Sequence, residues 1–534
     1  MASQDTWDSR FSLILYPCFA FLASLLLLPF GYFIGDDGVY YARAGFNLVA
    51  GRGIAANVGE PYTIHPPFYP FLIGLSNLLF KNLEFSGHFV SILAFALTLI
   101  PVFLLAKSIY PDLSAHWASL LYLTNGYLLI HSNLVMTESL FTLLVMTQFY
   151  IIHQVIQRKS RPFFHGTLLG ALAGLALLTR PEGLFFYAVG VLAILLLSSE
   201  PLASKSRVIF FSLIPFLLCF LANLFFVYQS TGQFQLSGGV TEILIKRQLD
   251  VSHPEQYLEV KKIYEGLTED KTRLKMEELK EGFRLLTYLT KDHFALLHSA
   301  IPSLLARLME LNPYLFAGFG FFLIGASFFS IPWRPERKKS EILLLLFMLT
   351  FLPQTIGTFL PKRFYHYFPI FLIWMGQGME RIRHWARETF QLSSKAATSM
   401  VLGVCVSLAL LSGGYLHRVL ASPFLPFEYK TMGLWMKQNL PHLEEERVAS
   451  RQPAVSFYSG AKILKLPYVD KLEDLLIFMS HQKAKYFVLS EDLDSPFLET
   501  YRPLLDETRP PPRGLIRKHV VDGRKKAILY EIIL

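Results

Sequence analysis

The sequence predicts an α-helical polytopic membrane protein that carries a small α/β domain towards its C-terminal end. Three observations lead there. Hydrophobic residues fill 52% of the 534 positions and mean hydropathy is +0.38, more apolar material than a soluble core of this size uses. The apolar runs approach the roughly 20 helical residues needed to cross a hydrocarbon core. Beyond Tyr415 those runs stop, and strand and turn signals replace them.

The apolar segments fall near 11–34, 87–108, 114–131, 136–156, 164–179, 183–198, 207–228, 313–331, 341–360, 364–380 and 397–415, about eleven spans. The first is too long for a signal peptide and lacks a small-residue cleavage site, so it reads as a retained span. Basic residues gather in alternate short loops: Arg158, Lys159 and Arg161; Lys205 and Arg207; Arg334, Arg337, Lys338 and Lys339; Arg381, Arg383 and Arg387. Cytoplasmic loops attract such residues, which puts the N-terminus inside and the loops 35–86 and 229–312, with the tail after residue 415, outside. The same clustering accounts for the net charge of +9 without a nucleic-acid partner, because no basic patch is interleaved with aromatics. Cys18, Cys219 and Cys405 all lie in apolar runs, so they read as core residues and not as a disulfide framework or a thiolate cluster.

Two segments stand apart from the spans. The loop 229–312 is long, nearly balanced in charge and helical in period, and its second half grows steadily more apolar, as a surface-lying lid would. After residue 415 the text predicts a helix near 430–439 that precedes ERVASR, then SFYSG and KILKLPY leading to a helix near 472–482, a strand at AKYFVLS and a hairpin over 516–534 turning at Asp522 and Gly523. The domains expected are therefore 1–415, transmembrane, and 416–534, an outer α/β domain that acts as a cap or partner platform.

The candidate chemistry starts in the first outer loop. Asp36 and Asp37 stand where the first span ends, and Tyr40, Arg43 and Asn47 follow at helical spacing, which gives one polar and aromatic helix face. A Gly-rich connection leads to Tyr62, His65 and the pair Pro66 and Pro67, which opens another apolar helix. Charges near membrane depth are costly and mark cavities. Glu138 in MTESL, Arg180 and Glu182 in LLTRPEG, and Lys362 and Arg363 in KRFYHYFP all fall on the outer side of the assigned topology. Each has a plainer reading: capping or bracing for Asp37 and Glu138, loop orientation for His65, snorkelling for Arg180 and Lys362, and an interfacial aromatic belt for Tyr62, Tyr365 and Tyr367.

Taken in this order, GDDGVYYARAGFNLVAGRG, HPP, MTESL, LLTRPEG and KRFYHYFP resemble the GT-C glycosyltransferases that use polyprenyl-phosphate sugars, among them the protein O-mannosyltransferases and the aminoarabinose transferases of lipid A. The resemblance covers most of the membrane part, and the outer domain after the last span fits many bacterial members. It implies an inverting sugar transfer from a polyprenyl-phosphate donor to a lipid, glycan or protein acceptor at the outer face of a bacterial inner membrane. On that reading Asp36 is the leading acid, with Asp37 and Glu138 beside it. Arg363 is the first candidate for the donor phosphate, supported by Lys362, Arg180 and His65, because guanidinium matches phosphate oxygens bidentately. Tyr40, Arg43, Tyr62 and Tyr365 would line the substrate. His65 stands where the aminoarabinose transferases carry lysine, which moves the resemblance towards the mannosyltransferases without fixing the sugar. No cofactor is required; the acids leave a divalent metal open, although no His/Asp ligand motif is visible. The rival readings are a transporter or flippase and a non-catalytic receptor. Charge collected at one face, with no pair of matching broken helices, argues against the transporter, and the receptor leaves the acids of the first loop without a role.

Overall fold

The computed structural model describes residues 9–157, 161–232, 234, 236–237, 314–316, 318–329, 333, 335–350, 361–421, 425–466, 472–491 and 501–533, and of residues 361–363 the backbone alone. The predicted lid over 229–312 lies outside the described residues apart from its first few positions. In chain order the helices are α1 (Ser9–Leu27), α2 (Asp36–Val49), α3 (Phe68–Phe80), α4 (Leu83–Ile109), α5 (Asp112–Thr124), α6 (Gly126–Ser132), α7 (Glu138–Ile156), α8 (Pro162–Leu177), α9 (Gly183–Leu197), α10 (Leu202–Thr231), α11 (Phe319–Phe328), α12 (Pro335–Leu349), α13 (Phe368–Thr389), α14 (Ser394–Ala421), α15 (Phe427–Asn439), α16 (Ala454–Ser459) and α17 (Leu472–His481). The strands are β1 (Ala55–Asn57), β2 (Glu60–Pro61), β3 (Arg447–Ser450), β4 (Lys462–Lys465), β5 (Ala484–Ser490), β6 (Leu515–Val521) and β7 (Ala527–Ile532). They sort into a helical unit, from residues 1–32, 63–240 and 298–421, and an α/β unit that joins 33–62 to 422–534.

Every predicted span coincides with helix among the described residues, and five helices are long and apolar enough to cross a membrane: Arg10–Gly31, Leu83–Ile109, Glu138–Ile156, Leu202–Ser230 and Ser394–Leu420. Apolar side chains stay exposed along them, as at Phe210, Leu218 and Phe225 of α10, a surface that only lipid satisfies. The chain is an integral membrane protein. The predicted span 114–131 is not one helix. It breaks at Asn125, whose side chain accepts the Leu128 amide at 3.0 Å and so caps α6 as a separate element.

Without a hydrophobic drive between helices, close backbone approach decides packing inside a bilayer. Helix α8 supplies it with Gly166, Gly170 and Gly174, one per turn, against α10. A Cβ at Gly170 would lie 1.9 Å from the Ser212 carbonyl oxygen, and one at Gly166 would lie 2.5 Å from that of Val208. Helix α13 approaches two neighbours the same way: a Cβ at Gly376 would meet the Ser114 carbonyl at 2.5 Å, and one at Gly378 that of Leu323 at 2.0 Å. The far ends of the helices are tied by a buried carboxylate, Glu341. It accepts from Tyr110 Oη at 2.6 Å, Trp374 Nε1 at 3.0 Å and Arg337 Nε at 3.1 Å, which locks α4, α12 and α13 together.

The α/β unit is built on a five-stranded sheet in the order β4-β3-β5-β7-β6, parallel across β4, β3 and β5 and antiparallel from β5 to β7 and β6. Strand β5 is central and almost wholly buried, as its unbroken apolar text demands. Leu475 and Met479 of α17 pack with Phe487, Leu489 and Tyr530 to form the core. The predicted elements of this region are all present: the first helix begins slightly earlier, at Phe427, and the hairpin strands flank the expected Asp522 and Gly523. The 33–62 segment joins the same fold. Its β1–β2 hairpin turns at Val58 and Gly59, where φ is +87° and a type II turn calls for glycine. Asn57 then presents its side-chain amide to the edge of β4, donating to the Ile463 carbonyl at 3.1 Å and accepting the Ile463 amide at 3.0 Å.

The α8–α10 contact predicts that Gly170→Ala costs about 1–3 kcal/mol by overpacking, even though alanine is the better helix former. Thermal unfolding of the purified protein in detergent measures it. Gly403→Ala, at a position where no described residue comes within 4 Å of an added Cβ, is the control and leaves the midpoint unchanged or higher.

Candidate active site

Helix α2 carries four of the candidate residues, Asp36, Asp37, Tyr40 and Arg43, and Tyr62 of the same α/β unit packs against them. Gly35 occupies the N-cap position, so Asp36 and Asp37 are the first two helical residues, where the helix dipole favours negative charge. The capping reading of Asp37 is thereby corrected: it lies inside the helix, one residue past Asp36. Asp36 has φ of +39°, a left-handed conformation that asparagine and aspartate tolerate better than other residues but that still stores strain. Tyr40, one turn on, stacks on Tyr62 with centroids 5.5 Å apart and planes 2° from parallel. Burial and then the charges of Asp37 and Asp36 push the Tyr40 phenol up to about 12, and burial pushes Tyr62 up as well. Both tyrosines are therefore neutral donors at physiological pH. Tyr62 is buried in this stack, which corrects the belt reading. Arg43, expected among the substrate-lining residues, sends its guanidinium to the backbone carbonyls of Ser456 and, at 2.7 Å, Ala461. Burial lowers its pKa to about 10, so it stays charged while serving those carbonyls.

The second cluster forms in the helical unit, where the start of α7, the α8–α9 connection and the segment ahead of α13 converge. Arg180 lies between two carboxylates, 3.1 Å from Glu138 Oε1 and 3.0 Å from Glu182 Oε1. It also donates to Thr137 Oγ1 at 3.2 Å, and its guanidinium lies 5.7 Å from the centre of the Phe141 ring. This is a buried ion triad and not a snorkelling arginine. Burial would raise the Glu182 pKa, but the charge and hydrogen bond of Arg180 outweigh it and hold the carboxyl at about 2. Glu182 is thus a fixed anion and a poor base. Glu138 braces the triad from the first position of α7, and its Oε2 is buried with no hydrogen-bond partner among the described residues.

Tyr365 shares a 3.3 Å hydrogen bond with Ser139 and is fully buried, as is Tyr367, so neither belongs to an interfacial belt. His65 is half-buried three residues before Phe68, whose amide donates to the Leu178 carbonyl at 2.8 Å and seats that stretch beside the α8–α9 connection. Lys362 and Arg363 lie in a 3-10 turn over Pro361–Tyr367 that leads into α13; their side chains are outside the described residues. Among the described residues no group of three or more His, Cys, Asp or Glu gathers as a metal site would. Two contributors escaped the sequence reading. Tyr458, whose hydroxyl accepts the Ile34 amide at 2.9 Å, and Asn57 carry no charge and sit in no motif.

Comparison with known proteins agrees on the class. Residues 64–226 match the dolichyl-phosphate-mannose-protein mannosyltransferase family. The fold is similar to the oligosaccharyltransferase of Archaeoglobus fulgidus, with a TM-score of 0.61 and 14% identity over 91% of this chain and 70% of that one. It is also similar to ArnT of Cupriavidus metallidurans bound to undecaprenyl phosphate, with a TM-score of 0.56 and 14% identity over 97% of both chains. Another structure of the archaeal enzyme is a complex with Zn and sulfate. No curated protein matches the chain in sequence. The helical unit and the C-terminal sheet thus share the fold of these glycosyltransferase structures, and the family match falls within the helical unit.

The triad supplies its own test. Arg180→Ala leaves Glu138 charged and buried with its counter-ion gone, a loss of roughly 3–5 kcal/mol for a broken buried pair. Thermal unfolding should show that loss, and the Arg180→Ala, Glu138→Gln double variant should lose less than the two single variants added together. Additive losses in the double variant would mean that the two side chains do not act as a pair.

Proposed function

We propose that the protein is a glycosyltransferase that moves a sugar from a polyprenyl-phosphate donor to an acceptor hydroxyl at the outer face of a bacterial inner membrane, with inversion at the anomeric carbon. One observation carries the reading. The acid that leads the first outer loop, Asp36, is held in a left-handed conformation at the start of a helix, next to a second acid and a stacked pair of tyrosines. Strain of this kind concentrates where a side chain must be aimed. The donor class is supported by the matched family and by the undecaprenyl phosphate and dolichol-phosphate named for the similar structures.

In this reading residues 1–415 carry the transfer, with the loops 35–86 and 229–312 outside, and residues 416–534 form an outer domain. The acceptor hydroxyl oxygen forms the bond to the anomeric carbon as the bond to the phosphate oxygen breaks. The acceptor proton passes to the Asp36 carboxylate, and the electron pair leaves with the phosphate. A single displacement of this kind inverts the centre. Asp37 adds negative charge that favours a proton on its neighbour. Tyr40 and Tyr62, both neutral donors, line the acceptor side, and Glu138 is the third acid of this reading. Arg363 holds the departing phosphate bidentately, with Lys362 and His65 in support. Arg180, already shared by two acids, keeps those acids in place. Asp36 and Asp37 are the oxygen donors on which a divalent cation would draw, and with no third ligand group among the described residues no step is assigned to one.

The test is Asp36→Asn, which keeps size and hydrogen bonding while removing the base. At saturating donor, turnover should fall by about 10² to 10⁴-fold with donor affinity kept, and Asp37→Asn should cost less. Near-normal turnover in Asp36→Asn with a dead Asp37→Asn or Glu138→Gln would move the base to another acid. Activity in all three would end the reading of this loop as a transfer site.

A further inference from the structure

The strained backbone of Asp36 is bracketed by two anchors from one short stretch of the C-terminal chain. On one side Ile34, fully buried, donates its amide to Tyr458 Oη at 2.9 Å. On the other, Arg43 donates to the carbonyls of Ser456 and Ala461. Those acceptors lie on α16 and just past its left-handed cap at Gly460, where φ is +84°. Tyr458 has little freedom of its own. It is 7% exposed, its ring centre lies 6.2 Å from that of Phe33 and 4.9 Å from the Lys430 ammonium, and its Cβ lies so close to α15 that a Cβ at Gly433 would come within 2.8 Å of it.

A left-handed non-glycine residue persists only where its surroundings over-determine it. Between Ile34 and Arg43 the chain has one such residue, Asp36, and both ends of that interval are fastened to residues 456–461. With either anchor released, α2 can rotate about its start and Asp36 can relax towards an ordinary helical conformation, which carries its carboxylate away. We propose that residues 456–461 form a clamp that sets the direction of the Asp36 carboxylate, with Tyr458 and Arg43 as positioning residues for sugar transfer. The C-terminal α/β region then does more than cap the protein: it holds the general base. This inference rests on the assignment of Asp36 as that base.

The experiment uses the full-length protein in lipid nanodiscs, with turnover at saturating polyprenyl-phosphate sugar, donor KM and the unfolding midpoint measured for each variant. Tyr458→Phe removes one oxygen. Its kcat should fall by roughly 10- to 100-fold, the scale of a displaced reacting group, with donor KM within about twofold and the midpoint close to wild type. Arg43→Lys, which keeps the charge but not the two-carbonyl reach, should lie between wild type and Arg43→Ala, and it decides the matter should Tyr458→Phe not fold. In an Asp36→Asn background neither substitution should lower the residual rate further. Wild-type kcat per folded molecule in both Tyr458→Phe and Arg43→Lys overturns the clamp while leaving the base assignment intact. Losses that persist in full in the Asp36→Asn background also overturn it, because the residues then act on something else. Normal turnover in Asp36→Asn alone overturns the base assignment, and the clamp with it.

Discussion

A charge enclosed by apolar side chains must be answered where it stands, and that constraint shapes both units of this protein. Arg180 is met by Glu138 and Glu182, Glu341 by Arg337, Tyr110 and Trp374, and Arg43 by two backbone carbonyls. Some of these partners are local, Glu182 two residues from Arg180 and Arg337 four from Glu341, but each set also includes one from far along the chain. Glu138 is 42 residues from Arg180, and Tyr110 is 231 residues from Glu341. Each pairing therefore fixes helix ends relative to one another with an orientation that apolar packing alone, which is non-directional, would leave loose. The glycine contacts of α8 and α13 do the complementary work, bringing backbones close enough for such short polar bonds to close.

The same constraint separates residues that can react from residues that only hold. An arginine shared by two acids or filled by two carbonyls has little left for a phosphate, and a carboxylate held at about 2 is a poor base. Arg180, Arg43 and Glu182 are fixed charges by this criterion. Asp36 differs in kind, because the energy stored there is in its backbone and its position in a helix's first turn favours the anion. The acid that the motif order brought forward is also the one with the strained backbone.

Much of this was legible in the sequence, for reasons that are local. The spans follow from hydropathy, the break at Asn125 aside. Strand β5 follows from its short apolar run and the β6–β7 hairpin from the Asp522–Gly523 turn. Charges at odds with the membrane pointed to Glu138, Arg180 and Glu182, since burial cost is a property of each residue. Their pairing was not legible, because it depends on which helix ends meet. The joining of residues 33–62 to the C-terminal sheet was hidden for the same reason: Asn57 and Ile463 are 406 residues apart, and a side-chain amide that imitates a strand edge has no periodic signature. Tyr458 carries no charge and stands in an ordinary SFYSG. The α8 glycines were in plain view at four-residue spacing, but hydropathy averages over them, and only the backbone approach to α10 gives the spacing its meaning.

The central claim is that a lipid-linked sugar is consumed by this protein and that its sugar is covalently transferred. It is tested most directly with purified protein in nanodiscs supplied with a panel of radiolabelled polyprenyl-phosphate sugars, hexosyl and pentosyl, together with a cell-envelope acceptor fraction. The result predicted is loss of label from one donor, matching gain in an acceptor product of inverted anomeric configuration, and release of free polyprenyl phosphate. Intact donors throughout, with the protein instead moving labelled lipid or solute across proteoliposome membranes, would contradict the account.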